Sequence, residues 1–248
     1  MDVEIKRDGL TLRGILTKPT TATFNLVIIF HGFRCYKEDP LLEKIASKLE
    51  AAGLATLRFD FAGLGQSDGD FKDMTIFSEL MDANQILAFA QKIPGVKKLF
   101  LLGHSQGGVI ASMMAGYYAD QISKLVLISP AATLVEEARV GKLQFATYDA
   151  EHIPSEIPLN RGYVAGGFYA RTNRYMPIYE VAQHFEKPVF LIHVGNDQVV
   201  NEIASERYHA LYQDSQLTIV KNADHSFYQA DYAEQAAKLA TNFLQEER

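Results

Sequence analysis

The sequence predicts an α/β fold with a mostly parallel central sheet, helices on both faces and one inserted segment. Three observations predict it. Short continuous apolar runs recur along the chain, amphipathic stretches of helical period separate them, and one long interval past the middle breaks the alternation. Apolar runs this short suit strands buried on both faces, as parallel sheets require. Strands alternating with helices then give helices on both sides of one sheet.

The first element is a hairpin. Residues 2–17 alternate apolar and polar side chains around Asp8-Gly9, a turn pair, and predict two antiparallel strands. The first apolar run is Leu26–Phe30, followed by His31-Gly32. Similar runs stand at Leu54–Phe59, Leu99–Leu102, Leu125–Ile128, Val189–Ile192 and Leu217–Val220. Between them, residues 78–93 set Leu80, Ala83, Leu87 and Ala90 on one helical stripe. Residues 39–52 and 230–246 carry a comparable period, and a further helix is expected to begin near Val109. After Ser129-Pro130 no clear strand starts until Val189, and the interval is rich in proline, glycine, tyrosine and phenylalanine. A structureless loop of that length is uncommon in a compact domain. The expected organisation is therefore a core of residues 1–132 and 181–248 with an inserted subdomain at 133–180.

Composition narrows the function. The 248 residues suit one domain with an insertion. A formal net charge of −6, with no Lys/Arg-rich run, argues against a nucleic-acid partner. No apolar stretch is long enough to span a bilayer, and MDVEIKRDGL lacks the apolar core of a signal peptide. The single cysteine, Cys35, has no partner for an internal disulfide. A soluble cytoplasmic protein is expected, without nucleic-acid or membrane partners; a homodimer stays open.

The strongest chemical signal is Gly103-His104-Ser105-Gln106-Gly107, a G-x-S-x-G pattern between the run Leu99–Leu102 and a helix. That context is a nucleophile elbow, a sharp strand-to-helix turn that exposes a serine hydroxyl. Serine needs a base, and His225 lies in a polar loop directly after Leu217–Val220. His104 is next to the serine, His193 lies at a strand end, and His152, His184 and His209 fall in helical or inserted segments. The base needs a carboxylate to hold its tautomer; Asp197 follows Val189–Ile192, whereas Asp224 is the immediate neighbour of His225. Asp197 is preferred, which sets the triad in the order Ser105, Asp197, His225. The backbone amides of Phe33, in His31-Gly32-Phe33, and of Gln106 are the expected oxyanion hole. No H-E-x-x-H, Cys-x-x-Cys or phosphate loop occurs, so neither a metal nor an organic cofactor is expected.

These elements, in this order and each at the end of a strand, resemble the α/β-hydrolase superfamily over nearly the whole chain. Asp60-Phe61-Ala62-Gly63-Leu64-Gly65-Gln66-Ser67 is similar to a D-x-x-G-x-G-x-S segment common there and reads as structural. The segments His31-Gly32-Phe33, Gly103–Gly108, Pro130–Thr133, Gly167-Phe168-Tyr169 and Pro177–Glu180 further resemble bacterial cinnamoyl (feruloyl) esterases. That resemblance implies an α/β-hydrolase fold in which 133–180 is a lid, and hydrolysis of hydroxycinnamate esters through an acyl-enzyme on Ser105. It implies Glu137, Gln144 and Tyr169 as the residues that bind the phenol end; esterases of this group often carry Asp where Glu137 stands. The expected partner is a small-molecule ester with an aromatic acyl group. A general short-chain carboxylesterase, a thioesterase or a peptidase with the same triad is the nearest alternative. A non-hydrolytic ligand-binding protein of the same fold is the alternative from another class.

Overall fold

The computed structural model describes residues 1–246. An eight-stranded sheet forms from β1 (Asp2–Arg7), β2 (Leu10–Thr17), β3 (Phe24–Phe30), β4 (Ala55–Phe59), β5 (Val96–His104), β6 (Ile122–Ile128), β7 (Val189–Val194) and β8 (Ser215–Val220). Its order is β1-β2-β4-β3-β5-β6-β7-β8. The β1–β2 and β2–β4 pairs are antiparallel, and the pairs from β4 through β8 are parallel. The chain has the α/β-hydrolase fold. At the hairpin tip Asp8 and Gly9 both take positive φ, 50° and 85°. A two-residue I′ turn requires that of both central residues.

The central strands divide their side chains between two cores. Val27, Ile29, Phe100, Leu102, Phe190 and Ile192 pack with α1 (Pro40–Ala51) and α8 (Ala230–Gln245) on one face. On the other face, Leu26, Ile28, Leu101, Leu125, Leu127 and Leu191 meet α2 (Ile76–Ala90) and α3 (Gln106–Tyr117). Both parities of each strand are apolar because both faces are covered.

Helix limits depart slightly from the periodicity. The helix expected at 78–93 starts at Ile76, because Thr75 and Ser78 close a capping box, and stops at Ala90, ahead of Pro94. The helix expected near Val109 starts three residues earlier, at Gln106, leaving only Ser105 between β5 and α3. Helix α1 has Asp39 as its N-cap and Pro40 at its first position.

Between β6 and β7 the chain forms α4 (Leu134–Arg139), the ladder of Lys142–Leu143 with Ala146–Thr147, and that of Glu156–Pro158 with Val164–Gly166. Then follow α5 (Gly167–Asn173) and α6 (Ile178–Ala182). Leu143, Ile157, Ala165, Tyr169 and Ala170 join the core on the α3 face, so the inserted stretch is seated on the sheet's helical layer. The boundary read at residue 180 lies within α6, which packs against α3. The remaining helix, α7 (Ile203–Leu211), precedes β8. Among the described residues no helix is long and apolar enough to cross a membrane.

Candidate active site

Strands β3 and β5 to β8 are parallel, so the loops after β3, β5, β7 and β8 all emerge at one edge of the sheet. Those four loops carry His31–Phe33, Ser105, Asp197 and His225. Ser105 adopts φ 56° and ψ −122°, a conformation foreign to strand and helix that thrusts its side chain out of the turn. Its amide bonds Ile128 O at 2.9 Å, and its carbonyl accepts from Ala131 N at 3.0 Å. The strained residue is thus held from both sides. At Gly107 a Cβ would sit 2.3 Å from Phe30 O, so the elbow closes only around a glycine.

Ser105 Oγ lies 2.9 Å from His225 Nε2, and His225 Nδ1 lies 2.7 Å from Asp197 Oδ2. An ionised carboxylate only accepts, so Nδ1 carries the proton and Nε2 is free to accept from the serine hydroxyl. The side chain of Asp197 is 2% exposed. Burial works against its charge, but the bond and charge of His225 and the amides of Val200 and Val199 hold it below the ordinary carboxylate range. Asp224 is engaged elsewhere. Its Oδ1 accepts from Ser226 N at 2.8 Å and stiffens the loop that carries His225.

Sequence reasoning missed what holds that loop. His104 Nε2 lies 2.9 Å from the carbonyl of His225, and the two rings stand 4.9 Å apart. A carbonyl cannot donate, so His104 carries its proton on Nε2. Burial, aided by the charge of His225, lowers His104 to about 3 and keeps it neutral. His193 is buried under Asp197 and is lowered by burial, so its 3.7 Å approach to that carboxylate is not an ion pair. It accepts from Ser205 Oγ at 2.7 Å.

The oxyanion-loop candidates also converge. A Cβ on Gly32 would lie 3.1 Å from Ser105 Cβ, so the backbone leading to Phe33 runs directly beside Ser105. Gln106 is the first residue of α3, where amides point beyond the helix end with the positive pole of its dipole. Asp60 anchors this region from below. It is fully buried and accepts from Lys37 N (2.6 Å), Lys37 Nζ (2.8 Å) and Gln66 N (2.8 Å). The D-x-x-G-x-G-x-S segment therefore acts through structure, as its residues suggest.

The side chain of Gln106 is tied as well. Tyr169 Oη donates to its Oε1 at 2.6 Å, and its Nε2 donates to Glu79 Oε2 at 2.7 Å. Burial drives Glu79 well above the usual range, with Asp82 adding to the shift. Sequence periodicity marks only the apolar side of α2.

Two hollows meet at Ser105. A recess of about 30 Å³ is lined by Ala131, Leu134, Leu143 and Val200, with Glu137, Gln144 and Tyr169 among its walls. Glu137 is raised by burial against the pull of Lys142 at 3.3 Å. Gln144 accepts from Arg34 Nη2 at 2.7 Å. Tyr169 gives its proton to Gln106, which leaves its oxygen only as an acceptor for a ligand. The second hollow, about 430 Å³, opens outward past His225, Arg34 and Tyr163. Cys35 lines it as a thiol, pushed up to about 12 by burial and by Asp39.

A family profile described as serine aminopeptidase, S33, matches residues 21–156, more than half of the chain. The chain belongs to that family of hydrolases. This S33-family hydrolase is also similar to human monoglyceride lipase, at 33% identity over 130 residues, 51% of this chain and 41% of that protein. It spans well under half the length of the monoglyceride lipases it matches. A polyketide transferase of Penicillium sp., grgF, is 29% identical over 170 residues, 66% of this chain and 57% of its own length. Among solved structures, Est1E from Butyrivibrio proteoclasticus with ferulic acid bound superposes with a TM-score of 0.94 at 30% identity. That match covers 98% of this chain and 97% of Est1E. Among the described residues, no three or more His, Cys, Asp or Glu side chains are grouped to hold a metal ion.

Proposed function

We propose that this chain hydrolyses carboxylic esters of hydroxycinnamic acids through an acyl-enzyme on Ser105. The observation that carries the reading is the relay of Ser105, His225 and Asp197 at 2.9 and 2.7 Å beside a narrow, mostly apolar recess. His225 takes the hydroxyl proton as Ser105 attacks the ester carbonyl, while the amides of Phe33 and Gln106 hold the oxyanion. Collapse breaks the bond to the alcohol, and His225 returns the proton to the leaving oxygen. Water then attacks the acyl-serine, giving its proton to His225, and the acid leaves as Ser105 is restored. Asp197 keeps His225 in the competent tautomer throughout.

The acyl group is assigned to the recess because its walls suit a flat aromatic acid. Aliphatic side chains flank it, and Glu137, Gln144 and the Tyr169 oxygen offer polar contacts to phenolic hydroxyls. The likeness to ferulate-bound Est1E over almost the full length of both chains supports the same choice. The segment 133–180 supplies Leu134, Glu137, Leu143, Gln144 and Tyr169 to the recess and so covers the acyl group as a lid.

The test is steady-state hydrolysis of methyl ferulate beside a short-chain p-nitrophenyl ester, by the native protein and by Ser105→Ala. The expected result is a higher kcat/KM for methyl ferulate and a loss of about 10³-fold or more in the folded variant. Turnover of the short acyl ester alone would leave a general carboxylesterase. Activity surviving in Ser105→Ala would overturn the mechanism.

A further inference from the structure

The outer hollow has a charge of its own. Two arginines line it: Arg34 from the loop after β3, and Arg161 from the inserted segment. The chain as a whole carries a net charge of −6, so a pair of guanidinium groups beside the nucleophile runs against the background. Neither makes an ion pair with a carboxylate among the described residues. Arg34 donates instead to neutral oxygens, on Gln144 at 2.7 Å and on Asn160, and its guanidinium lies 5.5 Å from the Tyr163 ring centroid. These contacts set its orientation without neutralising it. Burial and then the charge of Arg161 lower Arg34 from its ordinary value, as expected of two like charges held close together. Asp39 is the one acid among the described residues lining this hollow, and it is committed to capping α1 through Leu41 N at 3.1 Å.

Which part of a substrate meets these arginines follows from the proton path. His225 must protonate the departing alcohol, and His225 lines the outer hollow but not the narrow recess. The alcohol half of the ester therefore occupies the outer hollow. From this the geometry points to a carboxylate-bearing alcohol as the preferred leaving group, with Arg34 and Arg161 forming its anion subsite. The inference rests on the ester-hydrolase reading above and deepens it. Guanidinium groups suit such a subsite because their planar fork matches a carboxylate and stays charged at every working pH.

The experiment compares two ferulate esters that differ only in charge, the carboxymethyl ester and its neutral isostere, the carbamoylmethyl ester. The neutral alcohol is intrinsically the better leaving group, so a preference for the anion has to come from the protein. The expected ratio of kcat/KM is about tenfold in favour of the carboxymethyl ester at low salt. It should shrink with rising ionic strength and fall several-fold in Arg161→Gln, an exposed position. A ratio of one or below, or a ratio unmoved by both salt and Arg161→Gln, overturns the subsite while leaving the ester-hydrolase reading intact. Failure of the native protein on both esters overturns that reading and the subsite together.

Discussion

At the scale of residues, this site works by withholding alternatives from each group. Asp197 can only accept at His225 Nδ1, which fixes the His225 tautomer, and the bond and charge of His225, with two backbone amides, hold Asp197 below the ordinary carboxylate range. Asp197→Asn should keep the shape but let the amide donate to Nδ1, moving the proton to Nε2 where Ser105 needs an acceptor. A fall in kcat of about 10³- to 10⁴-fold is expected, with far smaller change in KM, measured by steady-state ester hydrolysis. A variant within tenfold of the native rate would remove Asp197 from this role. Ser105, His225 and Asp197 were legible as candidates because each follows an apolar run directly. His104 was not, since its value lies in a bond to a carbonyl 121 residues away.

The elbow is the element on which the rest depends. Strand β5 turns into α3 with Ser105 alone between them, and the crossing is so close that Gly107 touches the end of β3. Gly107→Ala should therefore cost about 3 kcal/mol or more, since backbone rather than a flexible side chain blocks the new methyl group. Gly9→Ala makes the contrast: nothing lies within 4 Å, and only its positive φ is strained, for a cost of about 1–2 kcal/mol. Urea denaturation of the two variants would separate them; equal losses would contradict the close-packing argument. Other elements were legible to different degrees. The hairpin and the buried strands follow from parity and turn chemistry, but the short ladders of the inserted segment carry too few residues for any period to register.

For the whole molecule, the buried histidines set an acid limit. His31, His104 and His193 are all lowered by burial, so the unfolded chain binds protons before the folded one as pH falls. Their contribution is complete above about pH 6.5, the unfolded value, and is lost progressively below it. For His104, lowered to about 3, the loss between pH 6.5 and 4.5 is about 2–3 kcal/mol. Glu79 has the opposite sign: raised above its unfolded value, it favours folding most in acid and loses that advantage as pH rises. Urea unfolding at both pH values should show a steep acid loss in the native protein and a smaller one in His104→Gln. An identical acid loss in both would assign the effect to other groups.

The order of residues alone dictates the alternation of strands and helices, the elbow, and the succession of Ser105, Asp197 and His225 along the chain. It can do so because those features depend on near neighbours: the parity of apolar residues, a tight turn, a polar loop after a strand. Which partners meet across the sheet was settled only by the folded molecule. It bound Tyr169, Gln106 and Glu79 into one buried chain, gave Asp224 to its own loop rather than to His225, and brought Arg34 and Arg161 to the same hollow. Such pairings join residues far apart in the chain, and what selects them is the closure of the packed core, a property no local window of residues contains.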